Sequence, residues 1–334
     1  MSLISIGDLA QSFMLRRHNA DLKSTITQLS QEVTTGVVRD PAKHLSGDLA
    51  ALTGIDSALS RLGAYSRAAS DAAFFTGAMQ NALGAVQDMT SDLVPSLLAV
   101  TSIGNAGAMN TVSREAEQAF RAAVGLYNTR LGDRALFSGD ETATTALLPA
   151  DDILQQMQAI TATALTVQDA ELALDTWLSD PAGFATTVYQ GGSALPDVPI
   201  APGQSVRIDL TANDPAIRDT LKGLGMAALL KQGLFSGNVS EQAALIRRAG
   251  EVLAEGQNSR ALLAGQLGTT EGQIADATTR NTAEVSALQI ARVSLLEADP
   301  YDSAARLQEA QGQLEMLYTL TARLSRLSLV DYLR

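Results

Sequence analysis

The 334 residues are 46% apolar and include no cysteine, so the chain can bury a sizeable core but excludes disulfides, thiolate metal sites and thiol chemistry. A formal charge of -12 opposes nucleic acid and anionic lipid, which are bound through clustered Lys and Arg. Ala and Leu dominate the apolar set and aromatics supply only 4%, a mixture that favours helix over sheet and predicts a mainly α fold.

The opening residues, MSLISIGDLAQSFMLRRHN, lack a basic start and a small-residue cleavage site, which argues against a Sec-type leader and leaves other export routes open. No stretch approaches the roughly 18 uninterrupted apolar residues of a membrane span, so no membrane insertion is expected. The first helical signal is a seven-residue rhythm. Leu15, Leu22 and Leu29 form one row, and Ile26 and Val33 form its companion, the 3–4 spacing of a helix seam. Gly36 and Asp40-Pro41 interrupt it. The rhythm resumes with Leu45, Leu52 and Leu59, then runs from Met79 through Leu83, Val86, Leu93 and Leu97 to Val100. A turn is expected over Ile103–Gly107. A further stripe of Val112, Ala116, Ala119, Ala123 and Leu126 ends near Gly132.

Residues 138–237 hold most of the Pro and change character, so they read as a small mixed α/β domain inserted between helical halves 1–137 and 238–334. Within the insert, 151–180 and 215–232 carry helical periodicity, whereas Ala185–Tyr189 and Val206–Leu210 read as short strands around a Gly- and Pro-rich stretch that suits turns and edge strands. Asn238 is a candidate cap for a long helical run through Leu296, and Asp299-Pro300 marks a fresh helix start. In that last helix Leu307, Ala310, Leu314, Leu317, Thr321, Leu324 and Ser328 keep the heptad, and Leu320 and Leu327 widen the stripe.

A helix of about 30 residues is roughly 45 Å long and has no way to bury its own stripe. The economical solution pairs the two terminal helices antiparallel, with the insert at the far tip. Residues 1–40 carry four acids and four bases, and residues 301–334 do the same, so the negative charge lies between two neutral ends able to pack side by side. Leu15, Leu22, Ile26, Leu29 and Val33, with Leu307, Leu314, Leu317, Leu324 and Leu327, are therefore the candidate assembly residues.

Motifs for chemistry are weak. Gly223-Leu-Gly225-Met-Ala-Ala228 has the spacing of a dinucleotide-binding turn, but the residues before it read as helix where that motif needs a strand; a close approach of helices explains it better. His18 and His44 do not sit at a ligand spacing, and Asp151-Asp152 fit a helix start favoured by the macrodipole. Trp177 is read as a core or domain-contact residue. An enzyme in the insert needs converging titratable groups, and no such set is visible; neither catalytic, cofactor nor metal residues are expected.

The ending DPYDSAARLQEAQGQLEMLYTLTARLSRLSLVDYLR, the stretch NSRALLAGQLGTTEGQIADAT at 258–278 and LYNTRLGDRALFSGDET at 126–142 with its Leu136-Phe137-Ser138-Gly139 resemble the flagellin superfamily, in particular its hook–filament junction proteins. The N-terminal match departs from the pattern: Thr35-Gly36-Val37-Val38-Arg39-Asp40-Pro41 stands where the family has a Gly-Lys-Arg turn, and HLSGDLAAL follows where flagellins proper have Asp-Asp-Ala-Ala-Gly. The resemblance implies an extracellular structural subunit exported through the flagellar type III channel, with termini that fold on assembly. Its implied partners are copies of itself in a ring, a hook-side junction protein, flagellin and an export chaperone. A flagellin of the filament itself and a non-flagellar secreted coiled-coil adaptor are the alternatives.

Overall fold

A computed structural model describes residues 6–100 and 106–332, with side chains described for residue 10 and for 12–99 and 106–323. The fold is mainly α, with two small antiparallel strand pairs. In chain order the elements are α1 (Ile6–Thr35), α2 (Pro41–His44), α3 (Ala50–Val100), α4 (Ala106–Tyr127), β1 (Arg130–Leu131) and β2 (Arg134–Ala135). Next come α5 (Ala150–Thr161), α6 (Val167–Ser179), α7 (Phe184–Thr187), β3 (Val198–Ala201) and β4 (Gln204–Val206). The chain closes with α8 (Pro215–Leu229), α9 (Val239–Glu255), α10 (Gln257–Leu295) and α11 (Pro300–Tyr332). Among the described residues no helix is long and apolar enough to cross a membrane.

Capping chemistry sets several boundaries as read from the sequence. Asn238 accepts from the Glu241 amide to start α9, and Asp299 accepts from the Tyr301 and Asp302 amides to start α11 with Pro300 at its first position. Asp151 and Asp152 lie in the first turn of α5. Two readings are corrected. Ala185–Tyr189 is not a strand: 184–187 form the single turn α7, and only Tyr189 makes an isolated bridge, to Leu147. Val206 ends β4, so Arg207–Leu210 continue as irregular chain; the hairpin partner of β4 is β3, inside the Gly- and Pro-rich stretch read as suiting turns and edge strands. Pro199 lies within β3 and Pro202 in the turn that follows it, and a two-stranded ribbon tolerates the missing amide donors. The turn expected over Ile103–Gly107 lies largely outside the described residues.

Contacts divide the chain into two units, 1–62 with 283–334, and 63–282, a different division from the three segments read in the sequence. In the larger unit the core runs from Ala69 on α3 to Ala277 on α10 and takes in Leu147, Phe184, Ile200 and Leu224, so residues 138–237 share one core with the flanking helices. Helix α8 lies at its centre, nearly all of it buried, against α4, α5 and α9. Gly223 and Gly225 are why it fits: a Cβ on Gly223 would meet Leu253 of α9 at 2.7 Å, and one on Gly225 would meet Met157 of α5 at 2.3 Å. The glycine pair is thus a helix-packing device.

The segment Leu136-Phe137-Ser138-Gly139 leaves β2 into that core. Leu136 and Phe137 are buried, and Phe137 meets the Tyr127 ring edge-on at 5.5 Å. Gly139 turns with φ +64, and the Gly192 amide donates to the Ser138 carbonyl while the Asp140 amide donates to that of Ser193. A Cβ on Gly139 would sit 2.0 Å from the Ser193 carbonyl oxygen. The motif clamps 136–140 against 189–193.

Candidate assembly surface

In the smaller unit α1 packs along α11. The direction is antiparallel, because Leu29 and Ser303 line the same groove as Leu22 and Ala310, while Lys23 and Asn19 reach Tyr318. Leu22 and Leu29 are buried on one side, and Ser303, Ala310 and Leu317 on the other, a strict seven-residue row from each helix. Leu15 continues the α1 row half-buried, and Ile26, Leu307 and Leu314 are half-buried beside the seam, whereas Val33 is exposed. The structure therefore brings together seven of the ten candidate assembly residues and leaves Val33 outside the seam; the side chains of Leu324 and Leu327 lie outside the described residues. Leu320, read as a widening of the stripe, faces outward at 53% exposure.

A short backbone clasp sets the register of this pair. Gly36, with φ +70, ends α1, its amide donating to the Glu32 carbonyl. The Val38 amide then donates to the Leu296 carbonyl and the Ala298 amide to that of Gly36, both at 2.9 Å, so Val37 and Glu297 form an antiparallel bridge just before α11 begins. A one-residue slip of the seam would break both bonds, which is how a small clasp fixes a long helix pair. The clasp was missed in the sequence, where Gly36 signalled only a break. Across the pair the Lys23 ammonium lies 6.0 Å from the centre of the Tyr318 ring, and Lys23, then Asn19, hold the Tyr318 pKa below the usual tyrosine value.

Beside the clasp a groove of about 720 Å³ runs between α1, α2 and α11. Its floor includes Leu22, Leu29 and Ala310, and its walls carry Glu32, Asp40, Asp299, Asp302 and Glu309 against Lys43, His44 and Arg306. A second opening, lined by Val37, Ile290 and Val293, lies where α10 meets the end of α1. In the same unit Arg292 pairs with Asp56 at 2.8 Å across half-exposed surface, a contact worth about 1 kcal/mol or less.

The titratable groups with perturbed pKa in the larger unit hold helices together. Glu171 of α6 accepts from Arg248 of α9 and lies 3.5 Å from Lys222 of α8; the Arg248 hydrogen bonds hold its carboxyl below the ordinary range despite burial. Glu117 of α4 is held low chiefly by Lys231, with Arg121 as its second base. Arg260 is buried against neutral acceptors, Gln87, Thr220 and the Leu253 carbonyl, and burial lowers its pKa. Among the described residues no three His, Asp or Glu side chains converge as a metal site. His18 and His44 are exposed, and Trp177 stands edge-on to Phe184 at 5.5 Å, half-buried.

No curated protein matches the chain significantly in sequence. By fold it is similar to the solved structure of a candidate flagellar hook-associated protein from Vibrio parahaemolyticus, with TM-score 0.50 and 11% identity over 72% of this chain and 94% of that one. Residues 253–333, which span the whole of α10 and α11, match the family described as the bacterial flagellin C-terminal helical region.

Proposed function

We propose that this protein is a structural subunit of the bacterial flagellum and that it works at the junction between hook and filament, in the manner of hook-associated protein 3. The observation that carries the reading is the paired terminal unit and the apolar surface left on its outside. Of the exposed large apolar side chains among the described residues, ten lie in that unit, including Phe13, Met14, Ile290, Val293, Met316 and Leu320, and seven in the larger unit, although the larger unit has about twice the residues. Apolar surface concentrated in this way marks a face that packs against protein. The charges fall the other way: 13 acids against 11 bases in the terminal unit, 23 against 13 in the larger one. A near-neutral unit can crowd against copies of itself, while the acidic unit keeps the free subunit soluble. The flagellin-type match over the C-terminal helices and the hook-associated fold likeness point in the same direction.

In this reading the unit made by α1 and α11 assembles with neighbouring copies and with hook-side and filament-side subunits, after export through the flagellar type III channel with a dedicated chaperone. The binding energy comes from side-chain packing, and no catalytic step is involved. The flagellin-type match favours one second reading, a subunit of the filament itself; the departures at Thr35–Pro41 and HLSGDLAAL favour the junction. The test is deletion of the gene followed by complementation. A junction protein is needed in few copies, and its loss leaves hooks without filaments while flagellin is exported into the medium. Filaments of normal length in the deletion strain would overturn both readings.

A further inference from the structure

The terminal unit is polar in charge along its length, and we infer that copies of this chain associate head to tail through it, the Phe13–Arg17 end of one copy seating in the acidic groove of the next. This inference rests on the self-assembly proposed above and names the two surfaces that meet. At one end of the α1–α11 pair, residues 10–23 and 314–323 hold Arg16, Arg17, Lys23 and Arg323 against Asp21 and Glu315. At the other, residues 24–48 and 297–313 hold seven acids against three bases, and the groove of about 720 Å³ opens there. One end is basic with an uncovered apolar face; the other is acidic with a partly apolar floor.

The local chemistry of the two surfaces is complementary. Phe13 and Met14 are 63% and 72% exposed, and Arg16 and Arg17 follow them on the next turn, both exposed. The Arg16 Nε donates to the Ser12 carbonyl at 3.3 Å. In the groove the half-buried Val38 offers apolar surface beside Leu22, Leu29 and Ala310, which the seam already buries, and Asp302 and Glu309 stand at exposed positions of α11. Arg306 neutralises part of this by pairing with Asp302 at 2.9 Å, and the excess of carboxylates remains. Arginine suits such a site because its planar fork pairs with carboxylates while its stem covers apolar surface.

The two surfaces lie at opposite ends of the pair, so a contact between them is heterologous: it leaves a free basic end on one copy and a free groove on the other. Repeated, it closes a ring if the rotation per copy is right and grows an open helix if it is not. That is the same geometric choice that separates a junction ring from a filament.

The test is a charge-reversal series on the full chain, read by sedimentation over a range of protein concentration. Arg16→Glu with Arg17→Glu should raise the concentration for half-maximal association about tenfold, since loss of two exposed ion pairs is worth roughly 1.4 kcal/mol. Asp302→Lys with Glu309→Lys should do the same, and these exposed positions leave the helical content unchanged. Combining all four changes in one chain should recover part of the lost association, because the pairs made with positions 302 and 309 are then reversed together. Loss without recovery, with wild-type chain still associating, would overturn the head-to-tail contact and leave self-assembly standing. A wild-type chain that stays monomeric at all concentrations, also in the presence of hook and filament fragments, would overturn both.

Discussion

At Gly139 the chain needs a left-handed backbone and has a carbonyl oxygen where a side chain would begin. Gly139→Ala is therefore expected to destabilise the larger unit by about 3 kcal/mol, combining backbone strain with a clash that no rotamer relieves. Gly132 also has positive φ, but nothing lies within 4 Å of the position of its Cβ. Gly132→Ala should cost only about 1 kcal/mol, the strain alone. Urea midpoints of the two variants check this contrast; equal losses would show that the Gly139 clamp is not the cause. The Leu136–Gly139 string was legible as a signature, while its physical reason was not, because Ser193 lies more than fifty residues away in sequence. The same holds for Gly223 and Gly225, whose spacing mimics a phosphate-binding turn until the helices around them are seen.

Among the elements, α1 and α11 were the most legible, since a strict heptad on a helix of this length has few ways to be buried. Leu22, Leu29, Ala310 and Leu317 are buried in one seam, as that spacing requires. Leu317→Asp places a charge in the seam and is expected to cost about 3 kcal/mol or more of the pairing. Leu320→Asp, one turn on but outward, should leave the pairing intact and weaken association between copies. Hydrogen exchange of α1 separates the two effects: protection lost in the first variant and kept in the second. Identical exchange in both would mean that the seam is not what holds α1 in place. The short strands were the least legible elements. Ala185–Tyr189 has β-branched residues at strand-like spacing, but burial of Phe184 and a backbone turn from Gly183 decide its conformation. Local propensity is a weak guide when tertiary packing sets the backbone.

For the molecule as a whole, the proposed role gives the acidic surplus of the larger unit and the apolar exposure of the terminal unit one reason: a subunit kept apart by charge until it packs through its terminal unit. The helix-bridging carboxylates give the larger unit a pH dependence of known sign. Glu117 and Glu171 titrate below the ordinary value of 4.5 in the folded chain, so their stabilisation is complete above that value. It is lost as pH falls through their lowered native pKa. Asp214 and Asp219, raised by burial, act in the opposite sense and gain as they take up protons. From pH 5 to more acidic solution Glu171→Gln should therefore lose less urea resistance than the wild type; an unchanged pH slope in that variant would discount the α6–α9 pairing as a source of the dependence.

Removing residues 307–334 should abolish association while the larger unit keeps its thermal transition, and a truncated chain that still incorporated into flagella would contradict the role given to α11. The most direct measurement is immunogold labelling of this protein on isolated flagella in the electron microscope. Gold confined to a narrow zone where hook meets filament is the predicted result; label distributed along the filament would make the protein a filament subunit, and flagella without label would contradict the account.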